Sequence, residues 1–128
     1  MSLEKLHGRH LLPNYLTLEL WDLSGPVAGE RWFVVIEARI RIPVSKENLP
    51  PELLNQTGAL QAALGQEIVF SQKDERFFIE KDKVPDIISD MEKRFLNLAQ
   101  AYFGQVQFPG RYIRKKYAEY QARQAEGR

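Results

Sequence analysis

The chain has 128 residues, the length of one ordinary domain, long enough to bury roughly two-thirds of the surface its unfolded form exposes. With 44% hydrophobic and 27% charged residues it is neither disordered nor fibrous, and the absence of cysteine excludes disulfides, thiolate nucleophiles and zinc fingers. Eighteen Lys and Arg against seventeen Asp and Glu leave a formal charge of +1, so no global field selects nucleic acid or a membrane surface.

Met1 to Pro13 holds no apolar core of the ~7–15 residues a secretory signal needs, which points to the cytoplasm. Leu3, Leu6, His10 and Leu11 are spaced like one face of a short helix ended by Pro13, and residues 1–12 are expected to fray. From Tyr15 to Asp22 the pattern becomes alternation, with Leu16, Leu18 and Leu20 on one face and Tyr15, Thr17, Glu19 and Trp21 on the other. That is the signature of a half-buried strand. Leu23 to Arg31, with Ser24-Gly25-Pro26 and Gly29, reads as a turn-rich loop, and Trp32 to Ile42 as a longer strand stopped by Pro43. The register expected for this hairpin sets Leu20 against Val34 and Leu18 against Ile36, with Trp21 facing Phe33 and Tyr15 facing Arg39 on the outer side.

Val44 to Gly65 reads as a connector with two short helical pieces, one opened by Pro50 and the other capped by Thr57 and closed by Gly65. Glu67–Gln72 and Arg76–Glu80 are predicted as a second hairpin turning at Lys73-Asp74-Glu75. Its apolar residues fall on both faces, so packing is expected on both sides. Val84 to Phe103 is the clearest helix: Val84, Ile88, Met91, Phe95, Leu98 and Tyr102 form one stripe, Pro85 opens it and Gly104 closes it. Asp90 is spaced to pair with Arg94 on its outer side. A last helix is predicted from about Arg111 to Gln124, buried along Ile113, Tyr117, Tyr120 and Gln124, with fraying beyond Gln121. Residues 105–128 hold six basic and two acidic side chains, a local excess of +4.

Catalytic chemistry finds little support. His7 and His10 stand three apart, which suits metal ligation on a helix, but Gly8 weakens that helix and two ligands do not make a site. The Ser24–Glu30 loop lacks the Lys-Ser/Thr and the following helix of a phosphate cradle. Asp86 with Asp90, and Asp74 with Glu75, fall at solvated positions rather than across a cleft. No catalytic residue, cofactor or metal site is assigned, and the reading is non-catalytic.

Two surfaces remain. Tyr15, Trp21, Phe33 and Val35, with Arg39 beside them, would form an apolar patch on the outer face of the first hairpin. Such a patch is either a partner surface or is covered by another element. Arg111, Arg114, Lys115 and Lys116 on the last helix form the alternative, a nucleic-acid contact with Tyr112 or Tyr117 stacking on a base. The expectation is a single α+β domain over residues 1–128. An antiparallel sheet of about four strands, in two hairpins, is covered by one long amphipathic helix, with a further basic helix at the C-terminus. Its expected role is a protein-interaction module, a homodimer or a subunit of a larger assembly, and not a membrane protein.

Overall fold

A computed structural model describes residues 4–127. It is α+β, as expected: an open antiparallel sheet with all its helices packed on one face. The strands are β1 (Lys5–Leu11), β2 (Thr17–Asp22), β3 (Gly25–Ala28), β4 (Arg31–Pro43) and β5 (Glu67–Glu80). The helices are α1 (Thr57–Leu64), α2 (Val84–Leu98) and α3 (Phe108–Glu126).

Five details of the strand reading are corrected, the last of them the second hairpin. The N-terminal segment is a strand, not a helix: β1 pairs with β2 from Lys5 opposite Asp22 to Leu11 opposite Thr17, so these residues are tied down where fraying was expected. Leu3 lies outside the described residues. Tyr15 belongs to the turn between β1 and β2 rather than to a strand, at a φ of 69°. The supposed loop after Asp22 holds β3, which continues the register of β2 along β4: Asp22 faces Ile36 and Gly25 faces Phe33, three residues on along both strands. Only Gly29 and Glu30 turn the chain, with Gly29 at a φ of 60°, a conformation glycine adopts at no steric cost. Centring the turn there moves the register by four. Leu20 therefore faces Ala38, Leu18 faces Ile40 and Trp21 faces Glu37. An even shift leaves every side chain on its expected face.

The second hairpin does not exist. Residues 67–80 form one strand of 14 residues alongside β4, and Lys73, Asp74 and Glu75 pair with Glu37, Ile36 and Val35 instead of turning. No glycine, proline or asparagine stands there to reverse the chain. The irregularity comes later. Val34 faces Arg76 and Trp32 faces Ile79, so one residue of β4 opposes two of β5, Phe77 and Phe78. This β-bulge carries Phe78 at a φ of 58°.

One hydrophobic core results. The inner residues of the sheet, Leu18, Leu20, Val34, Ile36, Ala38, Ile40 and Ile42, pack with Leu60 of α1, Met91 and Phe95 of α2, and Ile113 of α3. Helix α2 ends in a π-turn over Ala99–Phe103, closed by the Gly104 N–H donating to Ala99 O at 2.8 Å. A side chain on Gly104 would put its Cβ 2.7 Å from that oxygen and 2.8 Å from Pro13 Cδ, so only glycine fits. Phe70 of β5 fixes α3 to the sheet, its ring 5.0 Å from Phe103, 5.3 Å from Phe108 and 5.2 Å from Tyr112. The last helix starts at Phe108, earlier than expected, with Pro109 in its first turn. It runs to Glu126, through residues 121–126 for which fraying was expected. Arg94 pairs with Asp74 of β5, not with Asp90.

Candidate docking face

With every helix on the inner side, no helix among the described residues covers the other face of the sheet. Alternation along β2, β4 and β5 sends Glu19 and Trp21, then Phe33, Val35, Glu37, Arg39 and Arg41, then Val69, Ser71, Lys73 and Glu75 outward. From Lys5 the chain extends the edge of this surface as β1, Glu4 reaches Arg39 on it, and α3 lies on the far side.

The face is zoned along its strands. Toward the β1–β2 turn it is ionic. Arg39 is the hub: its guanidinium donates to Glu4 Oε1 at 3.1 Å and Oε2 at 2.8 Å, pairs with Glu37, and lies 4.8 Å above the Trp21 ring. These carboxylates raise the Arg39 pKa, and the same hydrogen bonds hold Glu4 below its ordinary value. Glu37 also pairs with Lys73 at 3.9 Å, Arg9 pairs with Glu19 at 3.5 Å, and the Trp21 indole N–H donates to Glu19 at 3.2 Å. The expected partner of Arg39, Tyr15, is replaced by Trp21, which reaches it diagonally across the β2–β4 ladder.

Toward the Gly29 turn the face is apolar. Val35 retains only 7% exposure and Phe33 is half-buried. Beside them on β5 stand Phe77 and Phe78, 59% and 69% exposed. The structure therefore groups Trp21, Phe33, Val35 and Arg39 on one surface and removes Tyr15 from it. Tyr15 stands 88% exposed at the end of the sheet. Phe77 and Phe78 are not singled out by alternation, which puts them on opposite faces of a hairpin packed on both sides. Two consecutive aromatics in a strand of a one-sided sheet are the signal that would have found them, since the core can receive only one.

Both edges of the sheet resist strand addition. β1 is irregular between Leu6 and Gly8 and carries Lys5 and Arg9, while β5 carries four consecutive charged residues before its bulge. The face, rather than an edge, is the candidate docking surface.

The other candidates assemble less. On α3, Arg114 is held by Glu52 at 2.5 Å, and Lys116 pairs with Glu119 at 3.4 Å above the Tyr112 ring. Burial lowers the Lys116 pKa, but Tyr112 and Glu119 outweigh it and the net shift is upward. Arg111 and Lys115 are exposed. His7 Nε2 lies 3.2 Å from Glu92 of α2, and His10 Nε2 is buried without a hydrogen-bond partner. Among the described residues no group of three or more His, Asp or Glu is placed to hold a metal ion. A hollow of about 760 Å³ beside the Gly29 turn is lined by Glu30, Arg31, Glu80, Lys81 and Asp82, charges of both signs without a nucleophile. Among the described residues no helix is long and apolar enough to cross a membrane.

Set against protein families, curated proteins and solved structures, the chain matches none.

Proposed function

We infer that this protein is a non-catalytic interaction module that docks another protein chain on the outer face of its sheet. One observation carries the reading. Trp21, Phe33 and Val35, with Phe77 and Phe78 at their edge, form an apolar zone that no helix among the described residues covers, bordered toward the β1–β2 turn by ion pairs. An exposed apolar zone bordered by polar, ion-paired residues suits a protein interface, and Trp and Arg are the residues that most often dominate binding there.

Nucleic-acid binding through Arg111, Arg114, Lys115 and Lys116 is the alternative. Arg114 and Lys116 already satisfy carboxylates within the chain, which favours a solvated face. If three or four of these cations met phosphates, log affinity for a labelled oligonucleotide would fall against log salt with a slope of roughly −3. The interaction reading expects no such binding.

Site-specific photo-cross-linking in the producing cell tests the docking face. A benzophenone amino acid in place of Phe78 should give a discrete protein adduct. The same group in place of Lys93, exposed on α2, should give none. Adducts at Lys93 alone, or at neither site, would overturn the reading.

A further inference from the structure

We propose that the occupant of the outer face is a second copy of this chain, docked face to face about a two-fold axis that runs along the strands between β2 and β4. This rests on the docking face itself and adds the identity of its partner.

The first argument is charge. Glu19 of β2 and Arg39 of β4 stand directly opposite one another in the ladder, both pointing outward. A two-fold axis between those strands exchanges their positions. Glu19 of one copy then meets Arg39 of the other, and Arg39 meets Glu19, so the central row is complementary to itself. Other charges on the face are matched within the chain, Arg9 with Glu19, Glu37 with Lys73, and Arg41 with Glu67 at 4.0 Å. A polyanion or an anionic membrane would find little unpaired positive charge here, whereas a copy brings the same balanced surface.

The second argument is the zoning. An axis along the strands keeps each level of the sheet opposite the same level of its mate. The apolar end is laid on the apolar end and the ionic end on the ionic end. Phe77 and Phe78, on the outermost strand, then come over the flank of β3 in the other copy, where Val27 is half exposed. Phe78 reaches outward from a left-handed backbone position that a phenylalanine occupies at a cost, as residues held for contact do.

The third argument is area. β4 has 13 residues, and four strand positions lie side by side. At ~3.3 Å per residue and ~4.8 Å between strands, with side-chain margins, the face offers about 800 Å². A stable interface buries roughly this much on each partner. Sheets stacked this way pack about 10 Å apart, giving an assembly with helices outside and two sheets within.

The test is the solution mass of the full chain by light scattering or sedimentation, across a dilution series. The chain should weigh twice its 14.9 kDa when concentrated. Phe77→Asp with Phe78→Asp, at two positions exposed in the single copy, should halve that mass with an unchanged circular dichroism spectrum. Glu19→Arg and Arg39→Glu provide the decisive pair. Alone, each places like charges across the axis and should be monomeric. Mixed, they should form a heterodimer, because each supplies what the other lacks. A chain of 14.9 kDa at every concentration, a dimer indifferent to all four changes, or a mixture that stays monomeric would each overturn the inference. A monomeric chain that still cross-links another protein through position 78 would overturn this inference and leave the docking face standing. Absence of any adduct there would remove both.

Discussion

The bulge in β5 makes a prediction whose sign runs against ordinary experience of strands. Phe78 has a φ of 58°, a region in which a side-chain-bearing residue pays about 1–2 kcal/mol for the approach of Cβ to the backbone. Its ring is 69% exposed, so removing the ring takes little burial from the folded chain, and Phe78→Ala should be neutral to within about 0.5 kcal/mol. Phe78→Gly also removes the Cβ. Relief of the backbone strain, less the ~0.5–1 kcal/mol of extra entropy that glycine loses on folding, leaves it more stable than Phe78→Ala by about 0.5–1 kcal/mol. Val69 is the control. It is half exposed on a regular stretch of the same strand, and there Val69→Gly should be less stable than Val69→Ala by about 0.5–1 kcal/mol. Both comparisons belong on a Phe77→Asp background in dilute solution, so that association does not contribute. Urea midpoints would measure them, as would melting temperatures, where 1 kcal/mol is about 3–5 °C for a chain of this size. If glycine is no better than alanine at position 78, the left-handed backbone at the bulge is wrong, and with it the claim that strain is held there.

Met91 is fully buried between α2 and β4, so Met91→Ala should cost about 2–5 kcal/mol in chemical denaturation, with the spread set by how far the site can collapse. Gly104→Ala forces its Cβ against Ala99 O and Pro13, and should cost about 1–3 kcal/mol and blue-shift nothing at Trp21, which lies on the other face of the sheet. The Glu4 carboxyl, held down by hydrogen bonds from Arg39, should titrate by NMR below its ordinary value of 4.5. Because the folded value is the lower one, whatever the pair adds to stability is present above 4.5 and is lost as pH falls through the folded value. Arg39→Ala should return the Glu4 titration to the ordinary range.

The sheet faces and the helix stripe were legible because they depend on periodicity alone. Leu18, Leu20 and the even-numbered residues of β4 from Val34 to Ile42 are buried as their alternation implies, and Met91 and Phe95 face them from α2. Register was not legible, because it depends on which of several glycines turns the chain. Gly25 and Gly29 offered equal signals, and only the pairing of β3 with β4 decides for Gly29. The charged stretch Lys73-Asp74-Glu75-Arg76 resembled a hairpin tip because its partners were distant in sequence. Glu37 takes Lys73, while Arg94 and Arg76 hold Asp74. Lys5 to Leu11 resembled a helix because β1 buries little and carries no strong alternation. Of the docking face, Trp21, Phe33, Val35 and Arg39 could be named from sequence. Glu4, Phe77 and Phe78 could not, since their place depends on the strands β1 and β5 that the reading had mistaken.

Radical footprinting read out by mass spectrometry addresses the central claim most directly, because it asks which surface loses solvent when the chain is bound. Oxidation of Phe77, Phe78 and Trp21 should slow as the purified chain is concentrated from dilute solution, while Tyr15 at the end of the sheet and Tyr102 on the helical side react at a constant rate. Slowing at Tyr102 with none at Phe77 and Phe78 would place the contact on the helices and contradict the account.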